Sequence, residues 1–222
     1  MNRIIIVSCL VILIWIPITY LYQVIFYDTT NIKSTSEILQ YYGIHKGYFG
    51  MDHGVKAIAY VGLSFFPILI MNKIISQKAL FKHWIATFFG TVSFIIIGLS
   101  LMIQAFTAEK LVELYNNETS NKDIYLKFFD FFITDGVLSY SMYIISYLIY
   151  FIWIILIYKN LKNYNKFSSI LLSISAIMSI LSVLTIFANH LLEFNIIDIS
   201  SITDFLNLII ILSVTINFSK KN

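Results

Sequence analysis

Several histidines and carboxylates stand beside long apolar stretches, and they are the side chains best suited to metal or acid-base chemistry. His190 and Glu193 are three residues apart, which places both on one face of a helix that continues through them. Such clusters bind zinc and similar ions, but the sequence has no H-E-x-x-H pattern and a single cysteine. We therefore expect no metal site and no cofactor, and interpret each residue as an interfacial polar group or helix cap. The residues are Asp52, His53, Asp135, His190 and Glu193.

A second candidate site consists of polar side chains inside two consecutive apolar stretches. Ser139 and Tyr143 are four residues apart in the first stretch. In the second, polar residues recur at intervals that keep them on one helix face. That second set is Ser175, Ser179, Ser182 and Asn189. Because a short turn joins the two stretches, we expect antiparallel helices with the two polar faces close together.

These facing polar side chains are open to two interpretations. One is helix packing, in which small residues allow close approach and hydroxyl groups bond across the interface or to their own backbone. The other is a small polar cavity that opens at the outer face of a membrane. The cavity interpretation predicts six ligand-binding residues, namely Asp135, Ser139, Tyr143, Ser182, Asn189 and His190.

The leading functional hypothesis is a non-enzymatic multi-pass membrane protein that binds a lipid, a small ligand or a partner protein at its outer face. The first alternative is an intramembrane enzyme that acts on lipid or peptide through Asp135, His190 and Glu193. The second is a small-solute transporter. The sequence has no G-x-S-x-G, P-loop or dinucleotide-binding motif. No charged residue stands at the middle of a predicted span, where ion-coupled transporters usually have one.

The elements that must position these residues are six apolar stretches. Hydrophobic residues make up 59% of the 222 residues and charged residues 12%, whereas soluble domains carry about 25% charged residues. A hydrocarbon core of about 30 Å needs about 20 helical residues to cross it. The sequence therefore predicts an all-α polytopic membrane protein, a single domain with six transmembrane helices at 4–22, 55–71, 84–106, 136–158, 167–188 and 204–218.

The charged residues fall on opposite sides of this predicted bundle. All twelve acidic residues lie on one side. The other side has no acid and carries the basic residues Arg3, Lys73, Lys78, Lys82, Lys159, Lys162, Lys166, Lys220 and Lys221. Because basic residues in short loops are retained in the cytoplasm, both termini are predicted to be cytoplasmic. The net charge of +3 is then a topology signal, so the expected partner is the lipid bilayer and not nucleic acid.

Local signals add detail to this arrangement. Pro67 predicts a kink in the second span, because proline removes a backbone donor, and Ser64 or a neighbouring helix can satisfy the freed carbonyl group. Asp52, Asp135 and Asp204 are expected to cap the starts of the three spans that run inward. Helical stretches are predicted in the outer segments at 36–42, 109–115 and 125–132.

The fourth and fifth spans carry a resemblance to a known group. Tyr158 and Lys159 end the fourth span, a short basic turn follows, and residues 167–171 (FSSIL) open a serine-rich fifth span. This arrangement resembles bacterial six-helix integral membrane proteins that share a domain of unknown function. The resemblance implies a multi-pass protein of a bacterial cytoplasmic membrane, and it carries no catalytic residues over to this chain. The richness in Ile, Phe, Tyr, Asn and Lys likewise favours a bacterial source with an AT-rich genome.

Overall fold

The computed structural model describes residues 1–26, 34–74, 81–117, 120–134, 136–192, 196–197 and 199–220. These residues form nine α-helices and one π-helical turn, and they contain no strand. The α-helices are α1 (Asn2–Phe26), α2 (Thr35–Ile44), α3 (Tyr48–Leu63), α4 (Phe65–Ile74), α5 (Phe81–Asn117), α6 (Lys122–Phe129), α7 (Val137–Tyr164), α8 (Lys166–Leu191) and α9 (Ser200–Ser219). The π-helical turn, Asp130–Thr134, joins α6 to the segment before α7.

Six helical segments are long and apolar enough to cross a membrane, which confirms the predicted all-α, six-span fold. They are α1, the α3–α4 pair, α5, α7, α8 and α9. Large apolar side chains remain exposed around the outside, as expected for surfaces that contact lipid. Examples are Val7, Ile14, Ile58, Phe88, Ile155 and Ile177. The helices extend beyond the predicted spans at nearly every end, most of all in the second and third spans.

The second span is interrupted at Ser64, between α3 and α4. Pro67, which predicts a kink in this span, stands three residues later. The hydroxyl group of Ser64 donates to the carbonyl of Val61 at 2.6 Å. Thr91 of α5 donates to the carbonyl of Ser64 at 3.3 Å. A side chain of the neighbouring helix therefore bonds to the backbone at the interruption.

The six spans form a closed ring in which each packs on the next, and α9 returns to α1. The side-chain amide of Asn2 donates to the hydroxyl of Ser219 at 2.7 Å, so the first and last helices meet at one end. We call this the terminal end, and the other the cap end. The described lysines of the short turns lie at the terminal end, and every described carboxylate lies in the cap-end half.

A small second core covers the cap end. Helix α5 has 37 residues, a length of about 55 Å at 1.5 Å per residue, so it extends well past a hydrocarbon core. Helices α2 and α6 and the π-helical turn pack on its last turns, and we call this group the cap. Its buried residues include Leu39, Leu111, Tyr115 and Phe129. Burial there also raises the pKa of the Tyr42 phenol.

The cap contains two of the predicted helical stretches. The predicted helix at 36–42 is α2, and its start is a capping box: Ser34 accepts from the backbone of Glu37, and the Glu37 carboxylate accepts from the backbone of Ser34. The predicted helical stretch 109–115 is helical as well. It continues α5 without a break, because its apolar residues Leu111 and Val112 pack into the cap core.

Candidate functional site

A cleft of about 490 Å³ opens in the cap-end half of the ring and is lined mainly by α1, α3 and α9. Its apolar wall includes Ile12, Ile16, Leu101, Phe205 and Leu208. Its polar wall consists of His53, Lys56, Tyr60, Tyr143, Ser201 and Asp204. The volume falls in the range of small-molecule sites, which combine apolar walls with a few converging polar groups.

Helix α3 positions one side of the cleft. Asp52, Lys56 and Tyr60 follow at four-residue steps, so they share one face of the helix. The ammonium of Lys56 lies 2.8 Å from Oδ2 of Asp52. The Nδ1 atom of His53 lies 3.4 Å from the same oxygen, and its ring stacks on Phe49 with 4.0 Å between centroids. Asp52 is 9% exposed, so Lys56 partners a carboxylate that would otherwise be costly to bury.

The start of α3 is held by a residue of another helix. Gly47, the N-cap, has φ +80°, a conformation that suits glycine. The carboxylate of Glu109 on α5 accepts from the backbone N–H groups of Gly47 at 3.2 Å and Gly50 at 2.7 Å. A negative group at a helix N-terminus also interacts favourably with the helix dipole. The cap end of α5 therefore sets where α3 begins.

The structure corrects the prediction that Asp52 and Asp204 are N-caps. Helix α3 begins after Gly47 and α9 begins after Ile199, so each aspartate lies in or beyond the first turn of its helix. Both instead face the interior of the ring. The third predicted cap, Asp135, lies outside the described residues.

Helix α9 positions the other charged side chain of the cleft. The hydroxyl group of Tyr147 on α7 donates to Oδ1 of Asp204 at 2.6 Å. This charge-assisted bond orients the Asp204 carboxylate at the cleft wall.

A chain of hydrogen bonds joins three helices of the ring. Tyr150 of α7 and Ser175 of α8 are joined at 2.8 Å. Ser175 also donates to Oδ1 of Asn207 on α9 at 2.5 Å, and Asn207 donates to Ser179 at 3.4 Å. The chain links α7, α8 and α9 at a level deeper than the cleft.

A small cavity of about 20 Å³ lies beside the cleft. It shares Tyr60, Asp204 and Leu208 with the cleft, and its wall includes the polar side chains of Ser93, Ser146, Tyr147, Tyr150 and Asn207. A cavity of this size has room for about one water molecule. Tyr60 and Asp204 line both the cleft and this cavity.

The polar lining ends in apolar packing toward the terminal end. Leu63, Phe66, Trp153, Leu172 and Val214 are each fully buried. Phe66 contacts Trp153 edge to face, with 5.8 Å between ring centroids. Among the described residues, we find no polar path that continues from the cavity through this half of the ring.

The structure separates the described members of the predicted ligand-binding set. Tyr143 lines the cleft. Asn189 bonds through its amide to both backbone groups of Ile196, at 2.7 and 2.8 Å. His190 is exposed, and its ring packs on that of Tyr140 with 3.9 Å between centroids. Asp135, Glu193 and the side chain of Ser139 lie outside the described part of the chain.

The serine face of α8 points mainly toward α9, although α7 and α8 are neighbours as predicted. Ser182 is fully buried and donates to Thr203 of α9 at 2.6 Å. Ser175 and Ser179 bond to Asn207. The sequence interpretation missed these α9 partners and the contact of Lys56 with Asp52. The i, i+4 spacing of Asp52 and Lys56, and of Thr203 and Asn207, was the available signal.

The ligand of the cleft is identified neither by a metal site nor by a known relative. The described residues contain no group of three or more His, Cys, Asp or Glu side chains that could hold a metal ion. No family model matches the chain, and neither a curated protein nor a solved structure is similar to it.

Proposed function

We propose that this chain is a non-enzymatic multi-pass protein of a bacterial cytoplasmic membrane that binds a lipid in its cap-end cleft. In this proposal the termini are cytoplasmic and the cap faces outward, as the distribution of basic residues favours. The observation that supports lipid binding most directly is the lining of the cleft. Lys56 of α3 and Asp204 of α9 line one cleft whose remaining wall is largely apolar.

An amphiphilic ligand fits this lining better than a fully polar one. The apolar wall includes Ile16 and Phe205, and Phe205 is 41% exposed on the surface of the bundle. An acyl chain can contact this wall while the headgroup meets the charged side chains. Burial of apolar area and a few placed polar groups together give such sites their affinity and orientation.

A small-solute transporter is the second candidate, favoured by the small cavity beside the cleft, whose wall includes polar side chains. Transport requires a second state in which the apolar packing around Trp153 opens, because the structure shows that packing closed. The enzyme alternative depended on Asp135, His190 and Glu193. Of these, the described residue His190 packs on Tyr140.

The proposal is tested by filling the cleft. Ile16→Trp places a large ring on the cleft wall, whereas Ile14→Trp adds the same ring to a lipid-facing position of the same helix that is 57% exposed. Each variant is purified in mild detergent and its retained lipid is quantified by extraction and mass spectrometry. We expect wild type and Ile14→Trp to retain an enriched lipid class, and Ile16→Trp to lose it. Equal retention by both variants would contradict the proposal.

A further inference from the structure

Two tyrosines of the cleft have hydroxyl groups that form no hydrogen bond within the described part of the chain. Tyr60 of α3 and Tyr143 of α7 both line the cleft, and neither hydroxyl has a partner among the described residues. We infer that these two hydroxyls bind the head of an uncharged lipid that carries ester carbonyl groups and a free hydroxyl, the chemistry of diacylglycerol. This inference rests on the proposed function and narrows it to one lipid class.

The hydroxyl of Tyr60 is the stronger of the two signals. Its residue is only 7% exposed, and a polar group buried this deeply is normally hydrogen-bonded, because an unmet donor costs free energy. Among the described residues that are not themselves exposed, only the Tyr41 hydroxyl is both sealed from solvent and unbonded. The Tyr60 hydroxyl therefore borders open space, and the cleft that Tyr60 lines has room for a ligand that supplies the partner.

The hydroxyl of Tyr143 differs from that of the next tyrosine on the same helix face. Tyr147 follows Tyr143 by four residues and donates to Asp204 at 2.6 Å, whereas Tyr143 has no such bond. A phenol hydroxyl is one donor as well as an acceptor, so Tyr60 and Tyr143 together offer two donors to one ligand. The two ester carbonyl groups of a diacylglycerol supply one acceptor for each.

The charged side chains of the cleft already have partners within the protein. Lys56 and His53 lie 2.8 and 3.4 Å from the carboxylate of Asp52. Asp204 accepts from Tyr147. A charge in a partly apolar site needs a partner of opposite sign, and a lipid phosphate would meet no unpaired cation among the described side chains of this wall. An uncharged head has no such requirement, so this lining favours a diacylglycerol over a phospholipid.

The free hydroxyl of a diacylglycerol also has a partner in the lining. Ser201, in the first turn of α9, lines the cleft and is exposed. Its hydroxyl can donate as well as accept, so it can bond to the hydroxyl of the lipid. The acyl chains then contact the apolar wall at Ile16 and Phe205. A glyceride therefore matches the hydroxyl-bearing and the apolar parts of the cleft.

The experiment compares three lipids with identical acyl chains. Delipidated protein in detergent micelles is titrated with dioleoylglycerol, dioleoyl phosphatidylethanolamine or dioleoyl phosphatidylglycerol, and bound lipid is counted by native mass spectrometry. We expect dioleoylglycerol to bind at least about tenfold more tightly than either phospholipid, because the phosphates lose water without gaining a cation. The ranking of the three lipids by the wild-type protein tests the inference even where a variant fails to fold.

Tyrosine-to-phenylalanine variants assign the effect to the two hydroxyl groups. Tyr60→Phe and Tyr143→Phe each keep the ring, and each should weaken dioleoylglycerol binding about threefold to tenfold, the ratio expected for one neutral hydrogen bond. Neither should lower the denaturation midpoint of the delipidated protein, because neither hydroxyl bonds within its described part. Tyr158→Phe makes the same exchange at a 41% exposed position near the other end of α7 and should leave binding unchanged.

The remaining outcomes separate this inference from the proposed function. Phospholipid binding that equals or exceeds dioleoylglycerol binding, and that Ile16→Trp abolishes, would overturn the uncharged head and leave the lipid-binding cleft intact. Unchanged dioleoylglycerol binding in both Tyr60→Phe and Tyr143→Phe would overturn the assignment to these hydroxyls. Binding of every lipid that is insensitive to Ile16→Trp would overturn both the inference and the proposed function.

Discussion

The indole Nε1 of Trp15 donates a hydrogen bond to Oδ1 of Asp52 at 3.0 Å, across the interface between α1 and α3. The other carboxylate oxygen lies 2.8 Å from the ammonium of Lys56. One carboxylate therefore ties together the first helix and the helix that carries the cationic side chain of the cleft. Its two oxygens have different partners, which allows the contribution of each contact to be measured separately.

Trp15→Phe removes the donor from α1 while keeping an aromatic ring. We expect the free energy of unfolding to fall by about 1.5–3 kcal/mol, the usual range for a hydrogen bond to a charged group. Denaturant titration in detergent micelles measures the change. Trp84→Phe is the matched control: its side chain is 61% exposed, so a change within about 0.5 kcal/mol is expected. Similar losses in both variants would mean that the bond to Asp52 contributes little.

Lys56→Met should be more damaging than loss of the indole donor, because it leaves Asp52 buried without its cation. Removing one partner of a buried pair typically costs about 3–5 kcal/mol. The double variant Asp52→Asn/Lys56→Met removes both charges and should recover a large part of that loss. The two single variants and the double variant form a cycle that reports the coupling energy. Simple additivity in this cycle would show that the two side chains act independently.

Gly90 marks the tightest approach between the broken second span and its neighbours. A Cβ atom at Gly90 would lie 2.7 Å from Cδ2 of Trp153 and 2.8 Å from the ring of Pro67. Both groups are rigid, and Trp153 is fully buried, so Gly90→Ala must displace a helix. We expect the free energy of unfolding to fall by about 1–3 kcal/mol, which is typical of an overpacked core. Denaturant titration in detergent micelles measures the change.

The matched control for Gly90 is Gly54, which also lies within a helix. A Cβ atom there would meet nothing within 4 Å, so Gly54→Ala should be neutral or stabilise by up to about 1 kcal/mol through helix propensity. A neutral Gly90→Ala variant would show that α4, α5 and α7 pack less tightly around Trp153 than the structure indicates.

The number of spans could be predicted from the sequence because each span carries its own signal. A run of about 20 apolar residues must cross as a helix, since lipid offers no partner for backbone groups. The break near Pro67 is equally local, because the missing backbone donor belongs to that residue. The helix ends were less predictable. The polarity of Asp52 and Asp204 predicts that they cap helix starts. In the structure Trp15 bonds to Asp52 and Tyr147 bonds to Asp204.

The site itself depends on how each helix is rotated and on which helices become neighbours. Periodicity put Ser175, Ser179 and Ser182 on one face of α8, and that face exists. Because α7 precedes α8 along the chain, the sequence predicts that this face packs on α7. Closure of the ring places α9 against the same face, where Thr203 and Asn207 accept or donate the hydrogen bonds. No single-helix pattern contains this information, because it arises from contacts among residues distant in sequence.

Orientation in the membrane gives the last prediction, which rests on the separation of charge between the two ends of the ring. In a background where the buried Cys9 is replaced by Ala, cysteines are introduced singly at Asn117 and Lys162, both exposed positions. Asn117 ends α5 in the cap, and Lys162 lies in the last turn of α7 at the terminal end. In intact cells, a membrane-impermeant thiol reagent should label the first cysteine and leave the second unlabelled. Both should react after permeabilisation, which shows that Lys162→Cys is accessible once the membrane is open. The reverse pattern in intact cells would place the cap in the cytoplasm. It would show that the distribution of basic residues does not set the topology of this protein.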